Sequence, residues 1–290
     1  MLESALLTRL GFAHGFSTRP WEDAACVSER RVAAESRVAG TDTGEHSEAA
    51  TYVSSAIVPH PDARVRRALL LRLAAHEGVA PQRVYAVRQV HGCNVAFADG
   101  DRDAMLACAA DAVVACAPPP DATRASVTSP ADVAVTVRVA DCVPVLVANE
   151  TTGACAAIHA GWRGVVSHVV HATLTHLGDP ERLVAAIGPC IGPCCFEVGI
   201  DVATQIGEAV GGTSVVARRF SGPQADKAFV DLRAAVRAQL ERAGVAPTRI
   251  DDVPAEVDAR CTFCNPHMFH SYRRDGEASG RMVAAIAARR

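Results

Sequence analysis

Cys142, His159 and His91 are the residues of this chain whose types and placement suit metal chemistry. Val143–Ala148 and Ala154–Ala160 are apolar runs of strand length. The polar Asn149-Glu150-Thr151-Thr152-Gly153 between them ends in glycine, which predicts a hairpin. A hairpin brings its open ends together, so Cys142, before the first strand, comes near His159, at the end of the second. His91 falls with Gly92 in a predicted turn between two strand segments, where a scaffold can hold an exposed imidazole. Two neutral imidazoles and a thiolate form a three-ligand zinc set with a fourth position open. Against this stands the commoner fate of a lone His or Cys, a satisfied core residue. Asp141 is a candidate for the carboxylate that orients one of the histidines, and equally a turn residue.

Gly161-Trp162-Arg163-Gly164 follows directly and leads into a helical pattern. Free N–H groups and the Arg163 guanidinium at a helix start suit phosphate or carboxylate. The competing reading is a glycine turn for tight strand–helix packing, with Arg163 in solvent. Trp162 offers a face to stack on a base or a lid for the core. Near the C-terminus, Tyr272-Arg273-Arg274-Asp275-Gly276 offers an aromatic ring and two guanidinium groups to a ligand, or a plain Arg–Asp turn. Cys190, Cys194, Cys195, Cys261 and Cys264 invite a structural zinc site with Cys190-x-x-x-Cys194 as its first pair. Buried or half-buried thiols rank ahead of it, because structural sites favour two compact pairs.

The elements that must position these groups follow from periodicity. Short strands are predicted at Val84–Val87, Ala110–Cys116, Val133–Val139, Leu183–Ile187 and Ile250–Val257. Helices are predicted at Asp62–Glu77, Val165–Leu177, Asp201–Val210 and Leu232–Ala243, and Met282–Ala288 closes the chain as helix or strand. Residues 26–62 and the proline-rich 118–130 read as loop. Neither repeat nor linker divides 84–290, so one domain over 1–290 is expected. Its elements mix without strict alternation, which favours α+β.

Composition narrows the function classes. The 290 residues are 49% hydrophobic and 21% charged, with a formal charge of −3, which gives no electrostatic case for nucleic acid or an acidic membrane surface. Lys227 is the only lysine and all other basic residues are arginine, which makes arginine clusters candidates for oxyanion binding, although a coding bias toward Arg and Ala is the commoner cause. No apolar run reaches the ~20 residues of a membrane span. The first residues do not read as an export signal, and eleven cysteines then suggest a reducing, cytoplasmic setting with free thiols.

Seven stretches together carry a resemblance: QVHGCNV (89–95), ADAVVA (110–115), VADCVPVLVAN (139–149), HAGWRG (159–164), IGPCIGPCCFEVG (187–199), VDLRAAVRAQL (230–240), and CTFC with HSYRRDGEASGRM (261–282). They make residues 84–290 similar to the YfiH-like family, known both as polyphenol oxidases (laccases) and as purine nucleoside phosphorylases. The stretch before residue 84 lacks the family's early Asn-Leu-Gly loop and the Asn-Arg pair of its first helix. Val139 stands where the family has threonine. The resemblance implies an α+β fold with α/β/β/α layers and a zinc site at His91, Cys142 and His159. It also implies phosphorolysis of purine nucleosides with deamination of adenosine in the same pocket.

On that expectation, Arg163 seats phosphate with Arg273 second, and Gly161, Trp162 and Gly164 complete the substrate side. Three alternatives remain: a copper oxidase of phenols, a hydrolase editing peptidoglycan precursors, and a non-catalytic binding protein of the same fold. Copper is the weaker metal, since the eleven histidines include no His-x-His pair of the multicopper kind.

Overall fold

The hairpin forms as predicted, and its burial explains why its strands are continuously apolar. In the computed structural model, which describes residues 2–18, 83–99, 101–116, 133–219 and 225–288, β6 (Val143–Asn149) pairs antiparallel with β7 (Cys155–Ala160). Every residue of both strands is buried. A strand wetted on one face alternates apolar and polar residues, whereas one covered on both faces does not. The turn is fixed locally: Asn149 Oδ1 accepts the N–H groups of Thr151 (2.9 Å) and Thr152 (3.0 Å). Gly153 then takes φ 75°, a region open to glycine without strain.

Around the hairpin lies a mixed six-stranded sheet in the order β12 (Ile250–Asp252), β8 (Leu183–Ile187), β6, β7, β4 (Ala112–Ala115), β3 (Val95–Phe97). The two outer pairs are parallel and the inner ones antiparallel. A second sheet runs β1 (His14–Phe16), β13 (Met282–Ala287), β5 (Ala134–Val139), β2 (Val84–Tyr85). A third and smaller one is β10 (Val216–Arg219), β11 (Lys227–Val230), β9 (Glu197–Gly199).

The strand period of two sends alternate hairpin residues into two cores. Leu146, Ala148, Cys155 and Ala157 pack with Val135, Val137, Ala284 and Ile286 of the second sheet. Val145, Val147, Ala156 and Ile158 pack with the helical residues Val165, Val170, Leu174, Val236 and Leu240. Among the described residues the layers are therefore helices, sheet, sheet, an α+β fold with mixed sheets as expected. The helix expected at Asp62–Glu77 and the loops at 26–62 and 118–130 lie outside the described residues.

Two elements differ from expectation, and a third, left open between helix and strand, is settled. The helix predicted over Val165–Leu177 is two helices, Trp162–Val166 and Val169–Leu174, separated at His168, whose φ is 59°. The Val165 carbonyl, the acceptor that Val169 N–H would use in a continuous helix, instead takes the His168 N–H (3.0 Å) and Gln239 Nε2 (2.7 Å). The strand predicted over Ile250–Val257 stops at Asp252, ahead of Pro254, which has no N–H for a ladder. The closing Met282–Ala288 segment is a strand over Met282–Ala287, because β1 and β5 pair with its two edges.

Candidate active site and metal centre

The open end of the hairpin brings the three predicted ligands together. His91, Cys142 and His159 offer ligand atoms that all lie within 4.8 Å of one another. The two imidazoles meet edge to face, with ring centroids 4.8 Å apart and planes at 75°. His159 is buried on β7, Cys142 half-buried before β6, and His91 exposed, so one side of the group is covered and the other open. Burial disfavours the Cys142 thiolate, but the two histidines outweigh it and bring the thiol well below its ordinary pKa. Burial likewise opposes charge on His159, while Cys142 and Asp111 raise its pKa above the ordinary value. A thiolate and two imidazoles at this spacing fit a transition-metal ion of the zinc or copper class.

Asp111 organises the group. Its side chain is fully buried, and its Oδ1 takes His159 Nδ1 at 2.8 Å. The same carboxylate accepts the backbone N–H groups of His91 (2.9 Å), Gly92 (2.6 Å) and Val90 (3.2 Å). With Nδ1 engaged, His159 presents Nε2 as its ligand atom. The turn carrying His91 hangs on the same carboxylate, which compensates for the left-handed φ of 61° at that residue. Burial raises the pKa of Asp111, yet His159 and the N–H donors bring it below the ordinary carboxylate value.

The carboxylate expected to orient a histidine at Asp141 is thus found at Asp111. Asp141, at φ 87°, instead accepts Thr262 Oγ1 (2.6 Å) and Arg273 N–H (2.7 Å), fastening the C-terminal segment beside Cys142. A charged residue inside the apolar run ADAVVA was the sequence signal for Asp111, since a buried carboxylate needs partners.

The triad opens into a cavity of about 770 Å3. Arg138, Arg273 and Arg281 line it together with the rings of Phe196 and Tyr272. Arg274 does not: its guanidinium is spent on Asp275 and on the carbonyls of Thr262, Phe263 and Phe269. Arg163 and Trp162 are not among the lining residues. Arg163 is exposed, its guanidinium 4.4 Å over the Trp162 ring, and Trp162 packs against the helical core.

The glycines of HAGWRG serve close packing. A Cβ on Gly161 would stand 2.9 Å from His91 Cδ2 and 3.0 Å from Cys142 Sγ, and one on Gly164 would stand 3.1 Å from the Gly92 carbonyl. Cys190 and Cys194, the less favoured structural-zinc pair, do not form a group, since buried Cys190 lies outside the cluster. Cys194, Cys195, Cys261 and Cys264 do, with sulfurs within 4.8 Å of one another. Among the described residues every cysteine is a free thiol, and no helix is long and apolar enough to cross a membrane.

Residues 40–289 match the family model described as multi-copper polyphenol oxidoreductase laccase. The chain is 34% identical to the purine nucleoside phosphorylase of Deinococcus radiodurans over 232 residues, covering 79% of this chain and 77% of that protein. It is 33% identical over 220 residues to adenosine deaminase RL5 from an unknown prokaryotic organism, covering 74% of this chain and 79% of the relative. A 33% identical stretch of 175 residues in Mus musculus purine nucleoside phosphorylase LACC1 covers 59% of this chain and only 39% of that longer protein. Among solved structures, YlmD from Geobacillus stearothermophilus superposes with a TM-score of 0.61 at 28% identity, over 77% of this chain and 79% of its own. With the family model matched over most of the chain and these likenesses in sequence and fold, the chain belongs to the YfiH-type family described as multi-copper polyphenol oxidoreductase laccase.

Proposed function

We propose that this protein is a zinc-dependent purine nucleoside phosphorylase with adenosine deaminase side activity. The observation that carries the reading is one cavity lined by both His91, Cys142 and His159 and the cationic Arg138, Arg273 and Arg281. Its volume suits a nucleoside and a phosphate, being within the range of small-molecule sites. Relatives named purine nucleoside phosphorylase and adenosine deaminase support the same substrate class.

Zinc held by His91, Cys142 and His159 would supply a Lewis acid beside the substrate. The chain's own residues do the rest. Arg273, the second phosphate candidate in the sequence, reaches the cavity with its backbone N–H fixed by Asp141 and its Nη1 on the Glu197 carbonyl. Guanidinium groups held in place in this way suit the oxygens of inorganic phosphate. Phe196 and Tyr272 offer faces for a purine, the role first considered for Trp162. In phosphorolysis an oxygen of hydrogen phosphate bonds to C1′ of the ribose as the C1′–N9 bond breaks, and the purine leaves with the proton that the phosphate gives up. Asp111 keeps His159 in one tautomer and orientation throughout.

Oxidation of phenols by a multicopper centre has less support. Among the described residues only one group of candidate ligands contains histidine. The phosphate seat is tested by comparing two arginines. Arg273→Ala should raise KM for phosphate about tenfold, as for loss of one charge-assisted hydrogen bond. Arg163→Ala, off the cavity, should leave it near the wild-type value. Equal effects of the two substitutions would refute this seat.

A further inference from the structure

We propose that Cys194, Cys195, Cys261 and Cys264 form a second metal site, a structural tetrathiolate centre for a single ion of the zinc class. The four sulfurs lie within 4.8 Å of one another, with Cys195 Sγ 3.3 Å and Cys194 Sγ 3.7 Å from Cys264 Sγ. Four sulfurs each about 2.3 Å from one ion stand about 3.8 Å apart in a regular tetrahedron. A multi-iron cluster would spread its thiolates more widely, so the spacing favours one ion.

The surrounding backbone is shaped for the same purpose. Two turns, one carrying Cys194-Cys195 and the other Cys261-Thr262-Phe263-Cys264, are tied by hydrogen bonds from Cys190 N–H to the Arg260 carbonyl (3.3 Å) and from Thr262 N–H to the Cys190 carbonyl (3.0 Å). Gly192 N–H donates to Cys261 Sγ at 3.3 Å. A Cβ on Gly192 would come within 3.2 Å of Cys261 Cβ and 3.3 Å of Cys194 Sγ, so a side chain there would crowd the cluster. Free thiols used for packing belong in the core. Here Cys194 and Cys264 are exposed and Cys195 half-buried beside the buried Cys261, so three of the four clustered thiols are not placed for core packing.

The site would act on the neighbouring cavity. Ile191 and Phe196, on the first loop, line it. Ile191 N–H donates to the Asp141 carbonyl (3.0 Å), and Thr262, on the second loop, donates to the Asp141 carboxylate (2.6 Å) one residue from Cys142. One ion would clamp two loops that share this wall.

Zinc-loaded protein should hold two zinc equivalents per chain as wild type, one as Cys142→Ala, and none when Cys264→Ser is added to Cys142→Ala. Cobalt(II) in Cys142→Ala should show the strong thiolate charge-transfer and tetrahedral ligand-field bands of a tetrathiolate. Should the double variant fail to fold, peptide-resolved alkylation of wild type decides. The four cysteines should be protected by zinc and exposed by chelator. A metal-free Cys142→Ala protein, alkylation indifferent to zinc, or Cys194, Cys195, Cys261 and Cys264 paired as disulfides in reductant would each overturn the proposal. These readouts need no nucleoside, so they stand or fall apart from the enzymatic reading.

Discussion

Asp111 carries more of the site than any ligand does. One carboxylate fixes the tautomer of His159 and holds the turn of His91 through backbone N–H groups, so both imidazoles depend on it. Asp111→Asn keeps the shape but sets an amide N–H against other N–H donors and removes the negative charge behind His159. Zinc affinity measured by chelator competition should fall about 10- to 100-fold, as for other groups that orient metal ligands. Unchanged affinity would mean that the turn and the histidine are positioned by packing alone. His91, Cys142 and His159 were legible in the sequence because the hairpin places two of them and a turn exposes the third. Asp111 was not read as their organiser, because its bonds reach 19 to 21 residues back and 48 forward.

At the scale of elements, β12 and the helix Leu232–Arg242 are joined by charge. Asp252 meets Arg233 (3.0 Å), Arg237 (3.1 Å) and Arg260 (3.4 Å), while Arg233 also caps the carbonyls of Ile187 and Gly188 at the end of β8. Burial raises the pKa of Asp252, but the three arginines outweigh it and hold the carboxyl below its ordinary value. A carboxylate depressed in the folded state adds stability above its unfolded pKa and loses it as pH falls through the folded one. Urea unfolding of Asp252→Asn should therefore show a loss of about 2 kcal/mol at neutral pH, the scale of hydrogen bonds to charged groups. The gap should close in acid. A gap constant down to acid pH would rule out the ion cluster as its source.

The element scale also shows where sequence reading ends. Asn149 and Gly153 announce the hairpin turn within five residues, whereas at the His168 break the Val165 carbonyl is shared with Gln239, 74 residues farther along the chain. The Val165–Leu177 stripe continues across that break, so periodicity alone draws one helix.

Over the whole molecule, the pairing of β13 with β5 assembles the cavity. The register sets Met282 opposite Val139 and Val283 opposite Arg138, which brings Arg281 and Arg138 to the same end of the second sheet. The hairpin of the first sheet delivers Cys142 and His159 to that end, and Asp141 ties Arg273 between them. Arg273 and Arg281 thus join the cavity from segments more than a hundred residues beyond His159, while Arg138 comes from the strand just before Cys142, which explains why Arg163, four residues after His159 in the chain, looked the nearer phosphate ligand.

The most direct test measures purine release from adenosine, inosine and guanosine by zinc-loaded protein, with and without inorganic phosphate. The expected result is free base and ribose 1-phosphate in equal amounts, dependent on phosphate. It should be lost on chelation, recovered with zinc, and absent in Cys142→Ala. No phosphate-dependent base release from any of the three nucleosides, by protein shown to carry zinc at His91, Cys142 and His159, would contradict the account.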